Sequence, residues 1–245
     1  MGEKELPLVG HLEELRTRII CCLVTLAVAG AAAFPFARHI LRILKLPAAG
    51  LIDKLVFFSP QEAFTVYVNI AIGAGLVISL PVILYHLWAF ISPAIEDRLR
   101  RHSLTFISFS LLAFVTGCAF AYYILLPAGL RFLLQFGRED LEPLISAGKY
   151  ISFVIAIILF TGLVFEMPVL SFMLSRLGII NHRFLRKYFR HAVLMLCIAA
   201  AVITPTPDPF NMMLLAVPMV FLYEVSIWVS FAAGRRAGKT SSGVP

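Results

Sequence analysis

Carboxylates are the side chains here best placed to do chemistry, and three of their settings stand out. Near the N-terminus, His11-Leu12-Glu13-Glu14-Leu15-Arg16 sits in a stretch where Leu8, Leu12, Leu15 and Ile19 recur at helical spacing. Glu14 lies four residues before Arg18, close enough on a helix to pair with it. Such a segment is either an amphipathic approach to a membrane with solvated charges or a surface that offers a carboxylate to a cation. The second setting is Phe90-Ile91-Ser92-Pro93-Ala94-Ile95-Glu96-Asp97-Arg98-Leu99-Arg100-Arg101. Pro93 can open a helix there, with the acids in its first turn and the arginines behind them, as the helix dipole favours. A capped helix start and a binding role both account for that pattern.

The third is Glu166, ten residues before Arg176 in an otherwise apolar stretch. At 1.5 Å per residue that is about 15 Å from the charged end, near the middle of a bilayer. An ionised carboxylate there costs on the order of 2.5–3.5 kcal/mol, so it is expected to face a polar or water-filled cavity or to carry a proton. Pro168, two residues on, favours a bend at the same depth. Glu224, near the end of the last apolar stretch, is less informative. No nucleotide-binding glycine loop, catalytic triad or HExxH pattern accompanies these acids, and no cofactor is expected. Cys21, Cys22, Cys118 and Cys197 fall inside apolar runs and read as small buried apolar residues.

The elements that must hold these acids are membrane helices. Of 245 residues, 60% are hydrophobic and 14% charged, and the mean hydropathy is +0.90. A soluble domain has roughly 45–50% apolar and about 25% charged residues. The composition excludes an ordinary soluble domain, a disordered chain, a disulfide scaffold and a nucleic-acid binder, despite a net charge of +7. Uncharged runs at Ile19 to Ala37, Ala63 to Ile95 and Ser103 to Leu130, with a fourth from Tyr150 to Arg176, predict four long spans. Ala192 to Pro207 and Pro209 to Tyr223 predict two short ones, joined by the proline-rich hairpin Thr204-Pro205-Thr206-Pro207-Asp208-Pro209.

The expected fold is therefore all-α, a polytopic membrane protein with six transmembrane helices, the last two short. Phe36 to Leu46 and Pro127 to Phe136 predict two short amphipathic helices on the outer side. A cleaved signal peptide is the rival for the first run, but the acids Glu3, Glu5, Glu13 and Glu14 before it argue for a mature helix. Two thirds of the 21 Lys and Arg residues fall in the termini and in the connections after the second and fourth spans, which predicts both termini in the cytoplasm. The chain reads as one membrane domain: an amphipathic cytoplasmic segment (1–18), a six-helix bundle (19–232) and a basic cytoplasmic tail (233–245).

Taken in order, several motifs resemble the TatC family of the twin-arginine translocase. They are the N-terminal His11 to Arg16, Pro81-Val82-Ile83-Leu84-Tyr85 with Trp88-Ala89-Phe90-Ile91-Ser92-Pro93-Ala94, Phe165-Glu166-Met167-Pro168, Thr206-Pro207-Asp208, and Pro218 with Tyr223-Glu224. The resemblance runs from about Leu8 to Phe231. It implies a receptor in the inner membrane of a prokaryote that binds the twin-arginine signal peptides of folded precursor proteins at the cytoplasmic face. It also implies a proton-gradient-driven complex with single-span partners of the TatA and TatB type, assembled in several copies, and no enzymatic activity.

By that resemblance Leu12, Glu14, Arg16, Phe90, Glu96 and Asp97 form the signal-peptide site, and Glu166 lines a concave intramembrane face. Thr204, Thr206, Asp208 and Asn211 are the polar groups for partner proteins, with turn capping as their alternative. Two adjacent guanidiniums call for two carboxylates that accept forked hydrogen bonds, a geometry lysine cannot reproduce. Where the family carries a glutamate, this chain has Leu99, so Glu96 or Asp97 is expected to replace it. A proton-coupled small-solute transporter using Glu166 is the alternative, without the internal repeat such transporters show. An intramembrane enzyme ranks last, since His86, His191 and scattered serines form no pattern.

Overall fold

In hydrocarbon, backbone polar groups must be satisfied within the chain, and an apolar sequence does this by forming helices. The structure, a computed structural model, describes residues 8–52, 54–91, 103–135, 144–176, 178–204 and 209–238. Helix α1 (Leu8–Ala33) passes through a tight turn at Phe34–Phe36, opened by Pro35, into α2 (Ala37–Lys45). A second tight turn, Leu46–Ala48, leads to Gly50, whose φ of 78° suits a residue without Cβ. Strand β1 (Leu55–Val56) precedes α3 (Pro60–Ile91), 32 residues long. That is about 48 Å of helix, more than a bilayer core of about 30 Å.

The next long helix is α4 (Ser103–Phe120), which runs through a π-helical turn at Ala121–Leu125 into α5 (Leu126–Gln135) without a loop. The stretch from Pro127 thus continues the preceding span. The wider π-helical turn just before Pro127 makes room for its ring and missing N–H, so the helix carries on. Strand β2 (Ile145–Ser146) pairs in parallel with β1, a ribbon too short for any periodicity to reveal. Helices α6 (Ala147–Phe165) and α7 (Met167–Arg176) meet at a break on Glu166, with Pro168 in the first turn of α7. A short α8 (His182–Lys187), capped by Asn181, leads to α9 (Phe189–Ile203) and then α10 (Pro209–Gly238).

Five stretches among the described residues are long and apolar enough to cross a membrane: Leu12–Ala48, Pro60–Phe90, Leu104–Gln135, Ala147–Arg176 and Pro209–Ala233. Phe189–Ile203 is a shorter apolar helix. Of the two final spans expected to be short, α9 is short and α10 is 30 residues long. The expectation ended the last run at Tyr223 because Glu224 follows. In the fold the Arg186 guanidinium neutralises Glu224, and the helix continues.

Where membrane helices have little hydrophobic drive to associate, small residues at crossings let backbones approach closely. A Cβ built on Gly75 of α3 would lie 2.7 Å from Gly30 Cα of α1, and one on Gly117 of α4 would lie 2.9 Å from Gly162 Cα of α6. These crossings set α1 against α3 and α4 against α6. The buried core runs through Val66, Ile70, Leu126, Ile151, Val154 and Met219, with Ala37 and Leu44 of α2 docked onto it. The exposed apolar residues, Leu23 and Val28 of α1 or Phe109 and Leu112 of α4 among them, face outward, as lipid contact requires. Cys21 belongs with them: it is exposed, and Cys22, Cys118 and Cys197 are only partly buried, so the cysteines are not the core residues expected.

Candidate functional site

At the end of the bundle where α1 begins and α3 ends, Glu14 and Arg18 form the pair that their spacing predicts. Arg18 donates from Nε to Glu14 Oε1 at 3.1 Å and again from Nη2 to the same oxygen. The same Nη2 donates to the carbonyl of Ala89 at 3.2 Å, so the guanidinium fastens the first turns of α1 to the last turn of α3. The half-buried Glu14 is thereby linked through Arg18 to the backbone of Ala89, the neighbour of Phe90. Leu12, 64% exposed, and the exposed Arg16 lie on the opposite face of α1, about 200° around the helix from Glu14. The fold brings together Glu14, Arg18 and the backbone of Ala89, next in the chain to Phe90, and places Leu12 and Arg16 on the other face of α1. Trp88 stacks on Phe106 with ring centroids 4.5 Å apart, closing the end of α3 onto the start of α4. Glu96 and Asp97 lie outside the described residues.

Deep in the bundle, Glu166 caps the end of α6, its N–H donating to the carbonyl of Leu163 at 3.1 Å. The residue is 4% exposed and packed among the helices. Ser110 of α4, itself buried, donates its hydroxyl to Glu166 Oε2, and Glu166 Oε1 has no partner among the described residues. The Gly117–Gly162 crossing permits this contact, because it draws α4 and α6 together one to two turns away. Ser110 carried no signal in the sequence: an isolated serine in an apolar helix has no period to mark it.

Of the candidate partner-contact residues, Thr204 and Asn211 are buried. Thr204 is 5% exposed and its hydroxyl donates to the carbonyl of Ala200 at 2.9 Å, within its own helix. Asn211 is 4% exposed, its Oδ1 only 2.7 Å from where a Cβ on Gly129 would stand, and Phe210 stacks on Phe132 at 4.0 Å. Asn211 and Phe210 therefore pack the start of α10 against α5, while Thr204 closes the end of its own helix. Exposed neighbours are apolar: Val202, Phe210, Met213 and Val217. Thr206 and Asp208 lie outside the described residues.

At the opposite end, Glu62 in the first turn of α3 is a buckle that sequence reasoning missed. Its carboxylate accepts N–H groups from Phe58 and Gly148, both at 2.8 Å, and the hydroxyl of Ser146. It ties the entry of α3 to that of α6, beside the β1–β2 ribbon. An acid in the first turn of a helix was the available signal. Among the described residues no group of three or more His, Cys, Asp or Glu converges on a point that would hold a metal.

This arrangement has relatives. The family model described as Sec-independent protein translocase protein (TatC) matches residues 10–218. The Sec-independent protein translocase protein TatC of Carboxydothermus hydrogenoformans is 39% identical over 230 residues, which cover 94% of this chain and 95% of its own length. That of Aquifex aeolicus is 34% identical over 235 residues, covering 94% and 97%. The crystal structure of a twin arginine translocase receptor, TatC, superposes with a TM-score of 0.84 at 33% identity, covering 91% of this chain and 99% of that one.

Proposed function

The chain belongs to the TatC family of Sec-independent protein translocase proteins, and from that premise we propose that it is the component that receives twin-arginine signal peptides at the cytoplasmic face. As a TatC protein it is a multi-pass inner-membrane component of the twin-arginine translocase, not a member of a catalytic family, and it works with other Tat components and protein substrates. The observation that carries the receptor reading is the half-buried Glu14, tied by Arg18 to the backbone of Ala89 at the end of α3.

A carboxylate that already accepts a guanidinium is shaped for another. An incoming arginine takes Glu14 in exchange for Arg18, and the adjacent arginine takes Glu96 or Asp97 on the following loop, standing in for the acid absent at Leu99. Phe90 packs against the aliphatic stems, and Leu12 and Arg16, on the exposed flank of α1, meet the rest of the signal segment. The exchange at Glu14 replaces one guanidinium by another and is close to balanced, so the net gain comes from the second arginine on its own carboxylate, about 1.5–3 kcal/mol. Peptide titration onto the purified protein tests this. Glu14→Gln should weaken a twin-arginine peptide at least about tenfold and leave a twin-lysine peptide equally weak. Equal affinities before and after the change refute the site.

Within the same reading the chain is one membrane domain with six spans, α9 being the fifth and α10 the sixth, and with both termini in the cytoplasm. The segments of α2 and α5 lie toward the outer side. Glu166, with one oxygen bonded to Ser110, is the polar group at mid-depth. Single-span partners of the TatA and TatB type dock at the segment that carries Thr204, Thr206, Asp208 and Asn211, contacting the exposed Val202, Met213 and Val217 beside it. Several copies then assemble for proton-gradient-driven transport of folded precursors.

A further inference from the structure

The basic turn between α7 and α9 has no part in the receptor site, yet it closes over a cavity. α8 is fastened to α10 by the Tyr223 hydroxyl, which donates to the carbonyl of Leu185 at 3.0 Å, and Leu185, Tyr223 and Ile227 form a small buried cluster. Beside that cluster His182, Arg183, Arg186 and Lys187 of α8 face Ile227, Trp228 and Phe231 of α10 across about 470 Å³. The wall is divided by chemistry: cations on one side, apolar and aromatic surface on the other. Glu224 takes the Arg186 guanidinium with contacts of 2.7 and 2.9 Å, which leaves Arg183 and Lys187 as the uncompensated charge of the cavity among the described residues. His182 closes one flank with its ring edge-on to Phe231, centroids 5.0 Å apart.

Trp228 decides what fits. It is 65% exposed on a membrane helix, so its ring lies in lipid while its neighbours across the cavity are cations. That is the setting of an interfacial aromatic, at the level where headgroups give way to acyl chains. We propose that this cavity binds one anionic phospholipid, its phosphate between Arg183 and Lys187 and an acyl chain along Trp228 and Phe231. A free phosphate would leave the apolar wall unused. A zwitterionic lipid would bring its own cation against Arg183. Basic cavities between membrane helices at the cytoplasmic surface suit anionic headgroups for the same reason. The inference rests on the membrane reading of the fold and is independent of the signal-peptide site.

The test uses the full chain in phosphatidylcholine nanodiscs, with Trp88→Phe so that Trp228 is the one tryptophan left of two. Small amounts of phosphatidylglycerol or phosphatidylcholine brominated on the acyl chains are added, and Trp228 fluorescence is read. Brominated phosphatidylglycerol should quench at a mole fraction about tenfold lower than brominated phosphatidylcholine, and the double variant R183Q/K187Q should bring the two curves to within about twofold. Arg186 is left in place because it holds Glu224. Native mass spectrometry gives the same answer without the Trp88 change: one phosphatidylglycerol retained by the unaltered chain and none by R183Q/K187Q. Coincident quenching curves, an undiminished preference in R183Q/K187Q, or loss of the preference in millimolar inorganic phosphate overturns the proposal, the last by pointing to a bare anion site. No precursor enters these measurements, so their failure leaves the receptor reading untouched.

Discussion

Glu14 never stands as a lone carboxylate, and its energetics follow from that. Arg18 supplies the positive charge that keeps a half-buried acid inexpensive, and its bond to Ala89 keeps the acid in place. The second arginine of a signal needs a second acid, and the candidates are Glu96 and Asp97. Alanine at one of these two positions should weaken twin-arginine peptide binding by about tenfold, the worth of one charge-assisted pair. If both single variants bind as tightly as the unaltered chain, neither acid replaces the one missing at Leu99. The residues legible in the sequence were those with a local partner or a costly setting: Glu14 by its distance from Arg18, Glu166 by its depth. Their tertiary partners were not legible, because Ala89 lies 71 residues from Arg18 and Ser110 lies 56 from Glu166, and only the fold closes such distances.

Helix crossings are where the chain's glycines matter. Alanine favours a helix by about 1 kcal/mol over glycine, so the outcome of a Gly→Ala change depends on what the new methyl meets. At Gly75 it meets the backbone of Gly30 at 2.7 Å, which cannot rotate away, and at Gly73 it meets only the side chain of Ile155 at 3.0 Å. Gly75→Ala should therefore lower stability in detergent by about 1–3 kcal/mol, while Gly73→Ala is near neutral, as thermal unfolding monitored by aggregation or circular dichroism will reveal. Equal effects at the two positions contradict the close α1–α3 crossing. Apolar runs made most of the helices legible, and Pro168 foretold the break at Glu166. The length of α10 escaped because its interrupting Glu224 is answered by Arg186, 38 residues earlier. The β1–β2 ribbon escaped because two-residue strands have no alternation to read.

At the scale of the whole molecule, the helix order brings the start of α1, the end of α3, the start of α4 and the basic turn around α8 to one end of the bundle, and Glu62 with the β1–β2 ribbon to the other. In the proposed orientation that first end faces the cytoplasm, since two thirds of the 21 Lys and Arg residues in the sequence fall in the termini and in the connections after the second and fourth spans. The proposed receptor role needs an acidic site on the cytoplasmic side, where a signal peptide first arrives, and the Glu14 site lies at that first end. The most direct measurement places a photo-crosslinking residue at Phe90 in native membranes, with the lipid-facing Val28 as control, and adds a precursor bearing a twin-arginine signal or its twin-lysine counterpart. Adducts at Phe90 with the twin-arginine precursor alone, and none at Val28, are the expected result. Equal adducts with both precursors at Phe90, or none at all there, contradict the assignment of the receptor site to Glu14 and the end of α3.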